Sequence, residues 1–318
     1  MQHNKLGKWG LKVSRMGLGS YLTIGDRVSD RDARQIVRLA VDAGIDFFDT
    51  ADQYNAGQSE EALGNILSEY PRSSFVLATK VYNPTGNDPN ERGLSRKHVF
   101  EACHASLRRL KMDYIDLYQC HRPDPDVPVE ETAAAMNDLI RQGKVLYWGV
   151  SEWGAEQIAE ACDVCGRMGL YRPVSDQPRY SLLWREPERE VFPKCQAEGM
   201  GVLAYSPLAH GVLTGKYKPG EPIPAGTRAA SEATNKVMMG RYYTEQNLER
   251  AEALGVIAKE LGVTSAQLAL AWIMARPAVS SVILGASRAE QLIDNLKAAK
   301  LQIPADAMQR IETLFPRE

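Results

Sequence analysis

Two rhythms of apolar and polar positions alternate along the chain. Short runs in which nearly every residue is apolar, such as "FVLATKV" from Phe75 and "GVLAYSP" from Gly201, take turns with longer segments whose apolar residues recur every three or four positions. The first rhythm is that of a strand buried on both faces, the second that of an amphipathic helix. In "SDRDARQIVRLAVDAG", Ala33, Ile36, Val37, Ala40 and Val41 share a helical face behind Ser29, a residue suited to capping a helix start. "SRKHVFEACHASLRRL" repeats the pattern with Val99, Phe100, Cys103, Leu107 and Leu110 behind Ser95.

Eight strand-like runs begin at Arg15, Asp46, Phe75, Tyr114, Val145, Pro173, Gly201 and Ser280. Ahead of them "KLGKWGLKVS", with Gly7 and Gly10 around a turn, reads as a small hairpin. Strands alternating with helices form a parallel sheet, and right-handed crossovers repeated eight times close most simply into a (β/α)8 TIM barrel. No linker interrupts residues 1–318, so the expectation is one α/β barrel domain with an N-terminal β-hairpin. Two irregular stretches stand out: "YNPTGNDPNERG" after the third strand, and the region from Leu208 to Tyr243 after the seventh. Loops of that length inside a compact domain are expected to be lids or binding loops, here at the carboxyl ends of the strands.

Composition narrows the function. Lysine plus arginine number 38 against 40 acids, a formal net charge of -2, and the charges are interspersed, so no nucleic-acid partner is expected. The longest apolar stretch, "AQLALAWIMA" from Ala266, is shorter than the roughly 20 residues a bilayer requires. "MQHNKLGKWGLK" lacks the apolar core of a signal peptide. A cytoplasmic protein without a membrane partner, its five cysteines reduced, is therefore expected. Cys162 and Cys165 have C-x-x-C spacing, but the pair stands alone in a helical pattern with no second pair or clustered histidines, so it is read as two small helix residues and no metal is expected.

In a barrel, polar side chains at the carboxyl ends of strands face the site. Asp49 ends the second strand, Tyr54 follows it, Lys80 ends the third and His121 the fourth. A lysine inside an apolar strand requires a carboxylate, and Asp49 on the neighbouring strand can supply it. A phenol with a pKa near ~10 is a weak acid at neutral pH, but a nearby ammonium lowers that value. Held beside Lys80 and hydrogen-bonded by His121, Tyr54 could pass a proton to a carbonyl oxygen and take it back in reverse, leaving a need for hydride.

These residues, with "DTADQY", "GQSEEALG", "LATKV", "LYQCHRPD", "GVSEW", "DQPRYSLL", "AYSPLAHGVLTGKY" and "VILGASRAEQLIDNL", resemble the aldo-keto reductases in order and spacing over nearly the whole chain. The best match is the branch containing bacterial reductases akin to potassium-channel β-subunits. The resemblance implies an NADPH-dependent reductase of small-molecule carbonyl compounds with an Asp49-Tyr54-Lys80-His121 tetrad. The channel subunits commonly have asparagine at the fourth position, so His121 favours a working reductase over an NADP(H)-sensing subunit with little turnover.

The resemblance further implies that Ser20, Asp49, Ser151 and Gln177 lie against the cofactor, with Tyr205 stacked on the nicotinamide. Ser206, Leu208, Gly211, Lys216 and Arg228 match the pyrophosphate loop and lid. Gly285, Ser287, Arg288, Gln291 and Asn295 match the site of the 2'-phosphate and adenine, Arg288 favouring the phosphorylated NADPH/NADP+ pair. Ser287 is suited to capping the last of these helices, and Ser59 the helix of "GQSEEALG". Glu152 departs from the family pattern, and a carboxylate there would repel cofactor phosphates unless turned away. Tyr21, Tyr82, Trp184 and Tyr242 are candidate walls of a substrate pocket. Homo-oligomerisation is not readable from the sequence.

"MGLGSYLTIG" has Leu22 where a dinucleotide fingerprint needs its third glycine, and "AYSPLAHG" lacks the G-x-S-x-G of a hydrolase. A Schiff-base lysine at Lys80 would leave Gln177, Tyr205 and the Ser287 helix unexplained.

Overall fold

A computed structural model describes residues 1–230 and 240–317. As expected, the chain opens with a hairpin in which β1 (His3–Lys5) runs antiparallel to β2 (Lys12–Ser14). Eight strands follow: β3 (Met16–Gly19), β4 (Phe47–Asp49), β5 (Val76–Val81), β6 (Ile115–Cys120), β7 (Val145–Val150), β8 (Ser175–Asp176), β9 (Gly201–Ala204) and β10 (Val279–Leu284). They pair in parallel in chain order, and β10 closes the ring against β3, giving the expected (β/α)8 barrel. Strand β8 is only two residues long. Pro173 and Pro178 flank it, and proline cannot donate to the ladder.

The strands alternate with α1 (Asp30–Asp42), α2 (Gln58–Leu67), α3 (Arg96–Leu110), α4 (Val129–Arg141), α5 (Ala155–Met168) and α6 (Val191–Glu198). After β9 come α7 (Glu245–Glu260) and α8 (Ser265–Met274), and after β10 α9 (Ala289–Leu296) and α10 (Ala305–Leu314). Ser29 caps α1 by accepting from the Asp32 amide at 3.2 Å, and Ser95 caps α3 by accepting from His98 at 3.3 Å. Ser59 does not cap α2 but lies buried inside it. The chain enters that helix through Gly57 with φ +87, and a Cβ there would stand 2.8 Å from Arg109 Cδ. Cys162 and Cys165 are buried free thiols on α5, and burial pushes them up to about 11 and about 12. Strand-ward apolar residues bury α8 along its length, and among the described residues no single helix is long and apolar enough to cross a membrane.

Period-two alternation divides the apolar residues into two cores. Leu77 and Val81 of β5 face the helices, while Val76 and Ala78 face the barrel interior with Phe47, Leu117, Leu203 and Ile283. Leu6 and Val13 of the hairpin belong to this interior cluster, so the hairpin stoppers the amino end of the barrel. Toward the carboxyl end the inward positions become polar at Asp49, Lys80 and Gln119, all buried. In the loop after β9, Ser206, Ala209, His210 and Gly211 have φ of +54, +46, +54 and +96. Residues 231–239 of the expected lid lie outside the described residues.

Candidate active site

Register brings the four strand-end residues together. Asp49 pairs with Ala78 across β4–β5 and Lys80 with Gln119 across β5–β6, so the inward row at the barrel mouth reads Asp49, Lys80, Gln119. Lys80, fully buried, donates to Asp49 Oδ1 at 2.6 Å, to the Thr50 carbonyl at 2.7 Å and to the Tyr54 hydroxyl at 3.3 Å. The remaining carboxylate oxygen, Asp49 Oδ2, accepts from Gln177 at 2.8 Å and Gln119 at 3.3 Å. Such a network satisfies a buried ion pair that would otherwise be costly. Two left-handed residues, Asn55 and Ala56, follow Tyr54 and bend the chain back at the mouth.

The phenol differs from the expectation that the ammonium lowers it. Tyr54 is half-buried, and burial first, then the Asp49 and Tyr21 charges, hold its phenol well above the ordinary tyrosine value. Lys80 spends its field on Asp49 and is itself lowered by burial. His121 is also held well below its usual range, by burial and then by the Lys80 and Arg122 charges, so its imidazole is neutral. Its Nδ1 lies 3.2 Å from Asn83 Nδ2, which can only donate, leaving the ring proton on Nε2. Against expectation, the Tyr54–His121 contact is an edge-on ring approach with centroids 5.7 Å apart, because the hydroxyl is engaged by Lys80 and Nδ1 by Asn83.

Beside this group, Ser20 Oγ donates to Thr50 Oγ1 at 2.8 Å and Ser151 Oγ to the Gln177 carbonyl at 2.8 Å. The Tyr205 ring is half-buried at the end of β9, 5.9 Å from the Arg179 guanidinium, and its phenol is pushed by burial to about 12. Tyr21 is exposed and its ring packs 4.9 Å from Tyr54. Trp184 lies 5.1 Å below Arg179, and buried Tyr242 lies 5.5 Å from His210. Tyr82 is half-buried against the outer core. Glu152 Oε1 accepts from the Arg179 amide at 2.6 Å, which ties that carboxylate to the backbone of the next loop.

The outer residues suit an anionic dinucleotide. Leu208, with φ -104, sits among the left-handed residues Ser206, Ala209, His210 and Gly211, and such turns gather amides around an anion. Lys216 Nζ stands 2.7 Å from where a Gly211 Cβ would be, so glycine admits the ammonium to this loop. Arg228 reaches His210 at 3.2 Å. Gly285 has nothing within 4 Å of a would-be Cβ, and exposed Arg288 occupies the cap position of α9. Ser287 does not cap that helix: its amide and hydroxyl donate to Gln291 Oε1 at 3.0 and 3.1 Å, and no side chain caps the first turn. An uncapped helix start suits an anion. Asn295 is buried on the inner face of α9.

Sequence reasoning overlooked Thr50, Asn83, Gln119, Arg122 and Arg179. For Gln119 a signal existed: it stands two residues before His121 in an apolar strand, hence on the same face. Nothing local marks Asn83, which reaches His121 only through the fold.

The family model described as Aldo/keto reductase family matches residues 15–315. A protein of Arabidopsis thaliana called probable voltage-gated potassium channel subunit beta is 45% identical over 301 residues, covering 94% of this chain and 91% of its own. Its namesake in Oryza sativa subsp. japonica is 44% identical with the same coverage. A putative voltage-gated potassium channel subunit beta of Schizosaccharomyces pombe is 40% identical over 320 residues, 98% of this chain and 92% of its own.

Proposed function

This chain belongs to the aldo/keto reductase family, whose members are NAD(P)H-dependent oxidoreductases, and from that premise we propose that it reduces aldehydes or ketones to alcohols with NADPH. The observation carrying this reading is the buried Asp49–Lys80 pair with the Tyr54 hydroxyl 3.3 Å from the ammonium. When bound, NADPH supplies the hydride that reaches the carbonyl carbon. Tyr54 gives its proton to the carbonyl oxygen, and its raised phenol keeps that proton in place until negative charge develops. Lys80 then stabilises the phenolate left behind, while Asp49 holds Lys80. His121, neutral with its proton on Nε2, offers a donor to the same oxygen. Ser151, Gln177 and Tyr205 would hold the nicotinamide end, and Lys216, Arg228 and Arg288 the phosphates. Gln177 supports this role, since among the described residues no donor reaches its Oε1 while its Nε2 is bound to Asp49.

The relatives' names supply a second reading, association with a potassium channel as a subunit, to which we join an NADP(H)-binding regulatory role with little turnover. Single-turnover mixing separates the two. Protein loaded with NADPH should lose the reduced-nicotinamide absorbance when an aldehyde is added. Tight NADPH binding without absorbance loss for any of several aldehydes and ketones would leave only the regulatory reading.

A further inference from the structure

The mouth carries a cation that this scheme leaves unused. Arg122 follows His121 directly, is half-buried, and donates from Nη1 to the His121 carbonyl at 2.6 Å. That bond takes one of its five N–H donors, and among the described residues it forms no ion pair. After burial, its charge acts on Tyr54, Lys80 and His121 on one side of the opening and on Asp176 and Tyr205 on the other. Arg122 thus lies beside His121 just after the end of β6.

Among the neighbouring acids, Asp176 is buried and burial holds its carboxyl well above the usual carboxylate range, and the others are bound to amides or to Lys80. Asp49 is shared by Lys80, Gln119 and Gln177, and Glu152 is held by the Arg179 amide. Asp124, two residues along the same loop, accepts from the Leu94 amide at 2.7 Å and the Asp126 amide at 3.1 Å. A planar guanidinium with free donors in a partly desolvated opening matches a carboxylate in charge and in geometry. Neutral carbonyl compounds make no use of it.

Building on the reductase reading, we infer that Arg122 binds an anionic group of the substrate, and that the site is selective for aldehydes or ketones carrying a carboxylate. The carbonyl oxygen then lies at Tyr54 while the carboxylate meets the fork of Arg122.

The test compares 4-carboxybenzaldehyde with the neutral 4-methylbenzaldehyde in the unaltered protein, Arg122→Gln and Arg122→Lys. The kcat/KM ratio of acid to neutral aldehyde should fall roughly 10- to 100-fold in Arg122→Gln, the span expected for a lost charge-assisted hydrogen bond. Arg122→Lys, which keeps charge but not the fork, should fall less. An unmoved ratio would overturn the assignment. So would a loss shared by both aldehydes and matched by weaker NADPH binding, which would give Arg122 to the cofactor phosphates. Calorimetry of benzoate on the NADP+-loaded protein is independent of turnover: Arg122→Gln should bind it at least about tenfold more weakly, and equal affinity would overturn the site. If the unaltered protein reduces neither aldehyde, the reductase reading fails, while the benzoate comparison still decides the anion site.

Discussion

At the scale of single residues, burial at the mouth holds Tyr54 protonated and His121 neutral. Tyr54→Phe should reduce carbonyl turnover by more than about 10²-fold, the range of general acid catalysis, while leaving NADPH affinity within about twofold. Comparable loss of cofactor binding, measured by fluorescence titration, would show that the hydroxyl does a different job. Asp52, two residues earlier, is buried, and no hydrogen bond of normal geometry reaches either carboxyl oxygen. Burial, then the Glu60 charge, holds its carboxyl well above the ordinary aspartate value. Below that value both the folded and unfolded chains hold the proton; as pH rises only the folded chain keeps it, and stability falls until the native group ionises. Asp52→Asn removes this dependence. Its melting temperature should exceed that of the unaltered protein near pH 8, with the gap closing toward pH 4. A variant that is less stable throughout, with the same slope, would place a structural role on the ionised carboxylate.

At the scale of elements, close approach matters more than propensity. Helices α2 and α3 meet at Gly64, where an added Cβ would stand 2.6 Å from Leu110 Cα and against its carbonyl. Gly64→Ala should therefore cost about 1–3 kcal/mol by overpacking, despite alanine's better helix propensity, and urea unfolding would reveal it. A neutral or stabilising result would mean that the two helices can part freely. The same scale explains what could be read in advance. Strands buried on both faces announce themselves as apolar runs, so seven of the eight barrel strands fell within the segments read from the sequence, and β10 begins one residue earlier, at Val279. Ser29 and Ser95 cap as their positions suggest because the chain enters α1 and α3 extended. Ser59 and Ser287 look alike in sequence yet do neither, since Gly57 enters α2 left-handed and Gln291 folds back on Ser287. The grouping of Asp49, Tyr54, Lys80 and His121 at the mouth was legible from strand ends. Asn83 and the ring-edge contact of His121 were not, because loops brought them together.

At the scale of the whole molecule, the barrel is closed at one end and open at the other. Leu6 is buried among Phe47, Leu117 and Leu203, far along the chain from any proposed reacting group. Leu6→Ala should cost about 2–5 kcal/mol through the cavity it leaves, seen as a lower urea midpoint. A cost under about 0.5 kcal/mol would mean that the hairpin is an ornament rather than a stopper. Because the hairpin covers the floor and apolar side chains fill the interior, the polar groups at the mouth are approached from the carboxyl end of the strands. The amides of Leu117 and Leu203 should thus be among the last to exchange with deuterium, reporting the opening of the entire barrel rather than local fraying.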